Sequence, residues 1–85
     1  MVNFEYIVKD EQGLHARPTG QLVKEAQKLT SKITIFKGDK SADLRRLFGI
    51  MSLAVKQNET IRIEVEGEEE KEDALYIKKF LSDNF

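Results

Sequence analysis

One histidine and one proline occur in this chain, and both fall in Gly13-Leu14-His15-Ala16-Arg17-Pro18. An imidazole is a good nucleophile near neutral pH, because its ordinary pKa of about 6.5 leaves much of it uncharged. Pro18 suits a first helical turn, where its missing N–H has no intrahelical acceptor to lose. Gly13 permits a sharp turn just before it. The spacing therefore predicts that His15 stands where a helix begins. The amides of Ala16 and Arg17 then point outward, with roughly half a positive charge between them and their neighbours. Arg17 adds a full charge whose planar fork matches phosphate oxygens. Imidazole, guanidinium and free N–H groups together favour an anion such as a phosphate, and the chemistry they suit is a phosphoryl group carried on His15. The resulting phosphoramidate is labile, which lets a carrier hand the group on. A metal site is a poor alternative, with one histidine, no cysteine and no carboxylate at ligand spacing on a shared face. Hydrolysis is equally poor, since no base–orienter pair is evident beside His15 in the sequence.

The elements that must hold this site follow from periodicity. Val2, Phe4, Tyr6 and Val8 alternate with Asn3 and Glu5, which predicts a half-buried strand with Ile7 as its exception. Lys9 to Gly13 reads as a polar loop. From Ala16 to about Leu29 the period becomes helical, with Thr19, Leu22, Val23, Ala26 and Leu29 on one stripe. Gly20 beside Thr19 suggests a close approach of this helix to a sheet. Ile33 and Ile35 mark a second strand, Gly38-Asp39 a turn, and Lys40 to Asp43 a short third strand. Leu44 to Val55 carries more apolar residues than one helix stripe needs: Leu47, Ile50, Met51 and Ala54 on one face, Leu44, Phe48, Met51 and Val55 on its neighbour. Some of these side chains, Leu47, Phe48 and Met51 among them, are expected to stay exposed as a partner surface. Thr60 to Glu66 alternates cleanly, with Ile61, Ile63 and Val65 inward. A last helix opens on Glu68, Glu69, Glu70 and Glu72 and closes on Lys78 and Lys79, with Ala74, Ile77 and Leu81 as its core face. One-sided patterning in the strands argues for an antiparallel sheet with helices on one face, an α+β two-layer domain.

At 85 residues the chain is read as one domain, residues 1–85, with a single modest core and no room for a deep substrate pocket. That counts against a self-contained enzyme, and no cofactor is called for. Fourteen Lys and Arg against 15 Asp and Glu leave a net charge of −1, so nothing global asks for nucleic acid. No apolar run approaches the roughly 20 residues of a spanning helix, and no secretory leader is evident. With no cysteine, the cytoplasm is the expected compartment.

The motif Gly13-Leu14-His15-Ala16-Arg17-Pro18 resembles the active-site motif of HPr, the histidine-containing phosphocarrier family of the bacterial phosphoenolpyruvate:sugar phosphotransferase system. Ser41 to Gly67, with the run Gly49-Ile50-Met51-Ser52-Leu53, resembles the family's second helix and following strand in register with it. The resemblance covers nearly the whole chain. It implies an open-faced β-sandwich, a four-stranded antiparallel sheet with three helices on one face, and a monomer. It also implies that enzyme I phosphorylates His15, at Nδ1, and that the group passes to the IIA domain of a sugar permease. Arg17 matches the motif's arginine, and Leu47, Phe48 and Met51 fall where the family has its apolar docking patch. A regulatory binding module switched by phosphorylation, or a carrier for a nitrogen or dihydroxyacetone chain, is the alternative. Two departures stand out. Thr19 and Gly20 replace residues that are commonly alanine. Arg46 stands where many members carry a serine that an ATP-dependent kinase modifies, which promotes binding to a catabolite-repression transcription factor. The resemblance therefore implies no serine switch here.

Overall fold

A computed structural model describes all residues, Met1–Phe85. The strands β1 (Val2–Ile7), β2 (Lys32–Lys37), β3 (Lys40–Asp43) and β4 (Thr60–Glu66) form one antiparallel sheet in the order β1-β4-β2-β3. The helices α1 (Ala16–Gln27), α2 (Leu47–Met51) and α3 (Glu70–Asn84) complete an open-faced α+β domain. Cross-strand register puts Phe4 opposite Ile63 and Ile63 opposite Ile35, so the apolar positions of three strands share one face. That face is buried with Leu22 and Ala26 of α1, Ile50 of α2 and Ile77 and Leu81 of α3. Each such Leu or Ile contributes about 1.5–3 kcal/mol by leaving water. The opposite face stays polar and open; there Arg62 stacks over Phe36, 4.1 Å from the ring centroid, and pairs with Glu64. Ile7 is exposed, as its break in the alternation implied.

Four local expectations change. A Cβ built on Gly20 meets nothing within 4 Å, so Gly20 is not a point of close helix–sheet approach. The first helix ends at Gln27, leaving Leu29 half-buried beyond it. The last helix does not close on Lys78 and Lys79 but runs to Asn84. Glu68 and Glu69 precede it, while Glu70, Glu72 and Asp73 occupy its first turn.

The segment 44–55 changes most. Its helix has five residues, not a dozen. Leu44 is held beside the sheet by its N–H on the Ile33 carbonyl at 2.9 Å. After Ser52 the chain leaves the helix, and Ala54 turns it with φ of +52°. Lys37 gathers the freed carbonyls of Leu53 (3.2 Å) and Ala54 (3.0 Å) and pairs with Glu59 at 3.0 Å. Leu44, Ile50, Leu53 and Val55 are all buried, three of them from outside the helix. Tertiary contacts absorbed the apolar surplus by unwinding the helix, because non-helical backbone can aim side chains that a 3.6-residue repeat could not bring to one side.

Candidate functional site

His15 is the N-cap of α1, with extended backbone (φ −90°, ψ 165°) and no side-chain capping bond. The Ala16 and Arg17 amides precede any intrahelical acceptor, and Pro18 contributes no N–H. The first intrahelical bond is that of Thr19 to the His15 carbonyl, 3.1 Å. Two free amides therefore lie beside the imidazole. Arg17 is exposed and makes no ion pair, so its guanidinium is available to a ligand. The stripe that anchors this helix is Thr19, Leu22, Val23 and Ala26, all buried, which sets the direction in which His15 faces.

The loop before His15 is braced from three sides. The Leu14 N–H donates to the Val55 carbonyl at 3.1 Å, and its side chain is buried. The Lys9 and Asp10 amides both donate to the Phe85 carbonyl oxygen, at 2.6 and 2.7 Å. The Gln57 side-chain amide donates to the Lys9 carbonyl at 3.2 Å. Gly13 has φ of +66° and lies flat against Val55 and Lys56, closer than any side chain permits.

Within this loop the Gly13 N–H closes a turn on the Asp10 carbonyl at 2.9 Å. The Gln12 N–H donates to Asp10 Oδ1 at 2.8 Å. The turn folds the Asp10 carboxylate back onto the imidazole, with Oδ2 3.2 Å from His15 Nε2. The Gln12 amide, and then His15, hold the Asp10 carboxyl below the usual carboxylate range, so it stays ionised at neutral pH. Sequence reasoning passed over Asp10 and found no orienting group for His15. Its only sequence signal is an Asp with Gly three residues on, the ends of a tight turn. The His15 side chain is 32% exposed, and Nδ1 makes no bond within the protein.

The expected partner surface divides. Phe48 is 86% exposed, whereas Leu47 and Met51 are half-buried, Leu47 against the core. A shallow cleft of about 470 Å³ runs from Arg17 past Gly20 and Lys24 to Leu47, joining α1 to α2. Arg46 is the N-cap of α2, exposed, with no side-chain capping bond.

The family model for the PTS HPr component phosphorylation site matches residues 2–83. The chain belongs to the HPr family. HPr proteins are phosphocarriers of the phosphotransferase system, and this chain is one of that class. The phosphocarrier protein HPr of Mycoplasma capricolum subsp. capricolum is 36% identical over 83 residues, covering 98% of this chain and 93% of that protein. That of Buchnera aphidicola subsp. Acyrthosiphon pisum is 39% identical over 71 residues, 84% of each chain. Among solved structures, HPr from Thermoanaerobacter tengcongensis superposes with a TM-score of 0.93 at 32% identity, over 100% of this chain and 96% of that one. The HPr fold expected from the motif, down to four antiparallel strands and three helices, is the fold observed.

Proposed function

We propose that this chain takes a phosphoryl group from phosphorylated enzyme I onto His15 and passes it to a IIA domain of a sugar permease, acting as a cytoplasmic, single-domain monomer. The observation that carries this reading is the partly open His15 ring at the start of α1, beside two unused amides and an unpaired Arg17 guanidinium. In the step itself the lone pair of Nδ1 attacks phosphorus. An N–P bond forms as the bond from phosphorus to the donor breaks, with the electron pair leaving on the donor. Charge spread over the three equatorial oxygens in a loose transition state is met by the Ala16 and Arg17 amides and by the Arg17 fork. No general base is required, because a neutral imidazole attacks through a lone pair. The deciding experiment is incubation with enzyme I and phosphoenolpyruvate, followed by mass measurement and a chase onto sugar, nitrogen and dihydroxyacetone acceptors. One acid-labile phosphate per chain that moves to a sugar IIA domain supports the reading. Retention of that phosphate with tight binding to another protein would instead indicate a regulatory module.

Docking is assigned to the face that Arg17, the cleft and α2 share, with Phe48 as its apolar anchor and Leu47 and Met51 beneath it. A side chain this exposed adds little to folding, so Phe48→Ala is expected to change stability by less than about 0.5 kcal/mol. An aromatic anchor desolvated by a partner is worth more, on the order of 1–2 kcal/mol. Calorimetric titration with enzyme I and urea unfolding read the two effects separately. Unchanged binding would remove Phe48 from the interface.

Arg46 supports the absence of serine-kinase control. It has no hydroxyl, and it places a positive charge where a phosphate would meet the amides of α2. The nearby hydroxyls differ in setting: Ser52 is the C-cap of α2 and donates to the Gly49 carbonyl at 2.6 Å, and Ser41 lies on β3. An HPr serine kinase with ATP is therefore expected to leave the wild type without acid-stable phosphate. Arg46→Ser supplies a capping hydroxyl and is expected to be neutral or stabilising by up to about 1 kcal/mol. Efficient acid-stable labelling of the wild type would refute the claim.

A further inference from the structure

We propose that Asp10 is the positioning residue that decides which ring nitrogen of His15 reacts, by fixing the tautomer of the imidazole. The inference rests on the phosphocarrier reading of His15. A carboxylate only accepts hydrogen bonds, and Asp10 Oδ2 faces Nε2 at 3.2 Å. A neutral imidazole has one N–H. It makes this bond only with its proton on Nε2, which leaves the Nδ1 lone pair free.

The carboxylate is itself held. Oδ1 accepts from the Gln12 N–H at 2.8 Å, and the Asp10 backbone is tied by its amide to Phe85 and by its carbonyl to Gly13. With one oxygen committed, the other is aimed at the ring. Neither partner is far from water, the side chains being 32% and 29% exposed, so the bond orients the ring without sealing it off.

The same contact serves both directions of transfer. When Nδ1 gains phosphorus and the donor bond breaks, the ring keeps its Nε2 proton and acquires formal positive charge. Asp10 faces that proton, on the ring nitrogen that does not carry phosphorus. On release the N–P electron pair returns to Nδ1, and a ring still protonated at Nε2 is the better leaving group. Asp10 thus stabilises the charged carrier without touching the phosphate.

Asp10→Asn and Asp10→Ala separate this role from a structural one. The asparagine keeps an oxygen for the Gln12 N–H but can turn its NH₂ toward the ring. Nε2 then accepts, the proton moves to Nδ1, and the lone pair is blocked. The alanine loses the turn bond yet imposes no tautomer. Nitrogen-15 NMR of the histidine ring in mildly alkaline solution is expected to show Nε2–H in the wild type and a shift toward Nδ1–H in Asp10→Asn. Phosphoryl uptake from enzyme I is expected to slow by about tenfold to a hundredfold in Asp10→Asn, and less in Asp10→Ala, as for orienting partners of other histidines. Stability should rank the other way, with the alanine variant the less stable. An unchanged ring spectrum in Asp10→Asn, or slower transfer in Asp10→Ala than in Asp10→Asn, overturns the proposal. The ring spectra are taken on unphosphorylated protein. A wild type that accepts no phosphate would therefore defeat the carrier reading, while the tautomer result would still decide whether Asp10 controls the ring.

Discussion

His15→Ala is expected to abolish phosphoryl uptake from enzyme I while leaving the fold in place. The chain has one histidine, so no second imidazole can substitute. The side chain makes no capping bond to α1, and its only side-chain partner is Asp10. It lies outside the buried stripe of Thr19, Leu22, Val23 and Ala26 that docks the helix. Removing it costs no core packing, and the change in stability should stay within about 1 kcal/mol, as for other substitutions outside the core. Mass measurement after incubation with enzyme I and phosphoenolpyruvate reads the first effect, and urea unfolding the second. Stoichiometric acid-labile phosphate on the variant would place the carrier atom elsewhere.

Gly13→Ala is expected to produce the largest stability loss of any single methyl added near the site. At φ of +66° a side chain pays about 1–2 kcal/mol for the left-handed backbone alone. The added Cβ would also stand 2.2 Å from the Val55 carbonyl oxygen and 2.8 Å from Lys56 Cα. Both are backbone atoms, so no rotamer change relieves the overlap, and overpacking of this kind costs about 1–3 kcal/mol more. The expected total of about 2–5 kcal/mol is a large share of what a domain this size commands. The displaced loop also carries Asp10 and His15, so uptake should slow in the molecules that remain folded. Gly20→Ala is the control. It meets nothing within 4 Å and lies inside α1, where alanine is favoured by about 0.5–1 kcal/mol. Urea midpoints should move in opposite directions for the two variants. A Gly13→Ala protein as stable as the wild type would show that the loop has room to move off Val55.

Local signals sufficed for the parts of the molecule whose conformation depends on near neighbours. His15 at the start of α1 follows from Gly13, Pro18 and the stripe from Thr19 to Ala26, all within a few turns of one another. The alternation of Ile61, Ile63 and Val65 defined β4 and its buried face, and Gly38-Asp39 the hairpin between β2 and β3. The free amides and the guanidinium were legible for the same reason, since a helix N-terminus and a residue two places along it need no distant partner.

Tertiary structure decided what required distant segments. The order β1-β4-β2-β3 puts the first strand beside the last, and no pattern within either strand specifies that neighbour. The segment after Leu44 shows why periodicity failed there. Leu44 bonds to Ile33, Lys37 collects the Leu53 and Ala54 carbonyls, and the Val55 carbonyl receives the Leu14 N–H. These contacts outweighed a helical preference already weakened by Gly49. They also decided which apolar side chains are buried and left Phe48 outside. Asp10 beside His15 combines a local turn with a distant brace. Four residues separate them, and the Gln12 and Gly13 amides fold the carboxylate onto the ring locally, while Phe85, at the far end of the chain, ties down the amides of Lys9 and Asp10. The histidine at the start of α1 was thus local information, whereas the loop that brings Asp10 beside it is also braced by hydrogen bonds spanning almost the whole sequence.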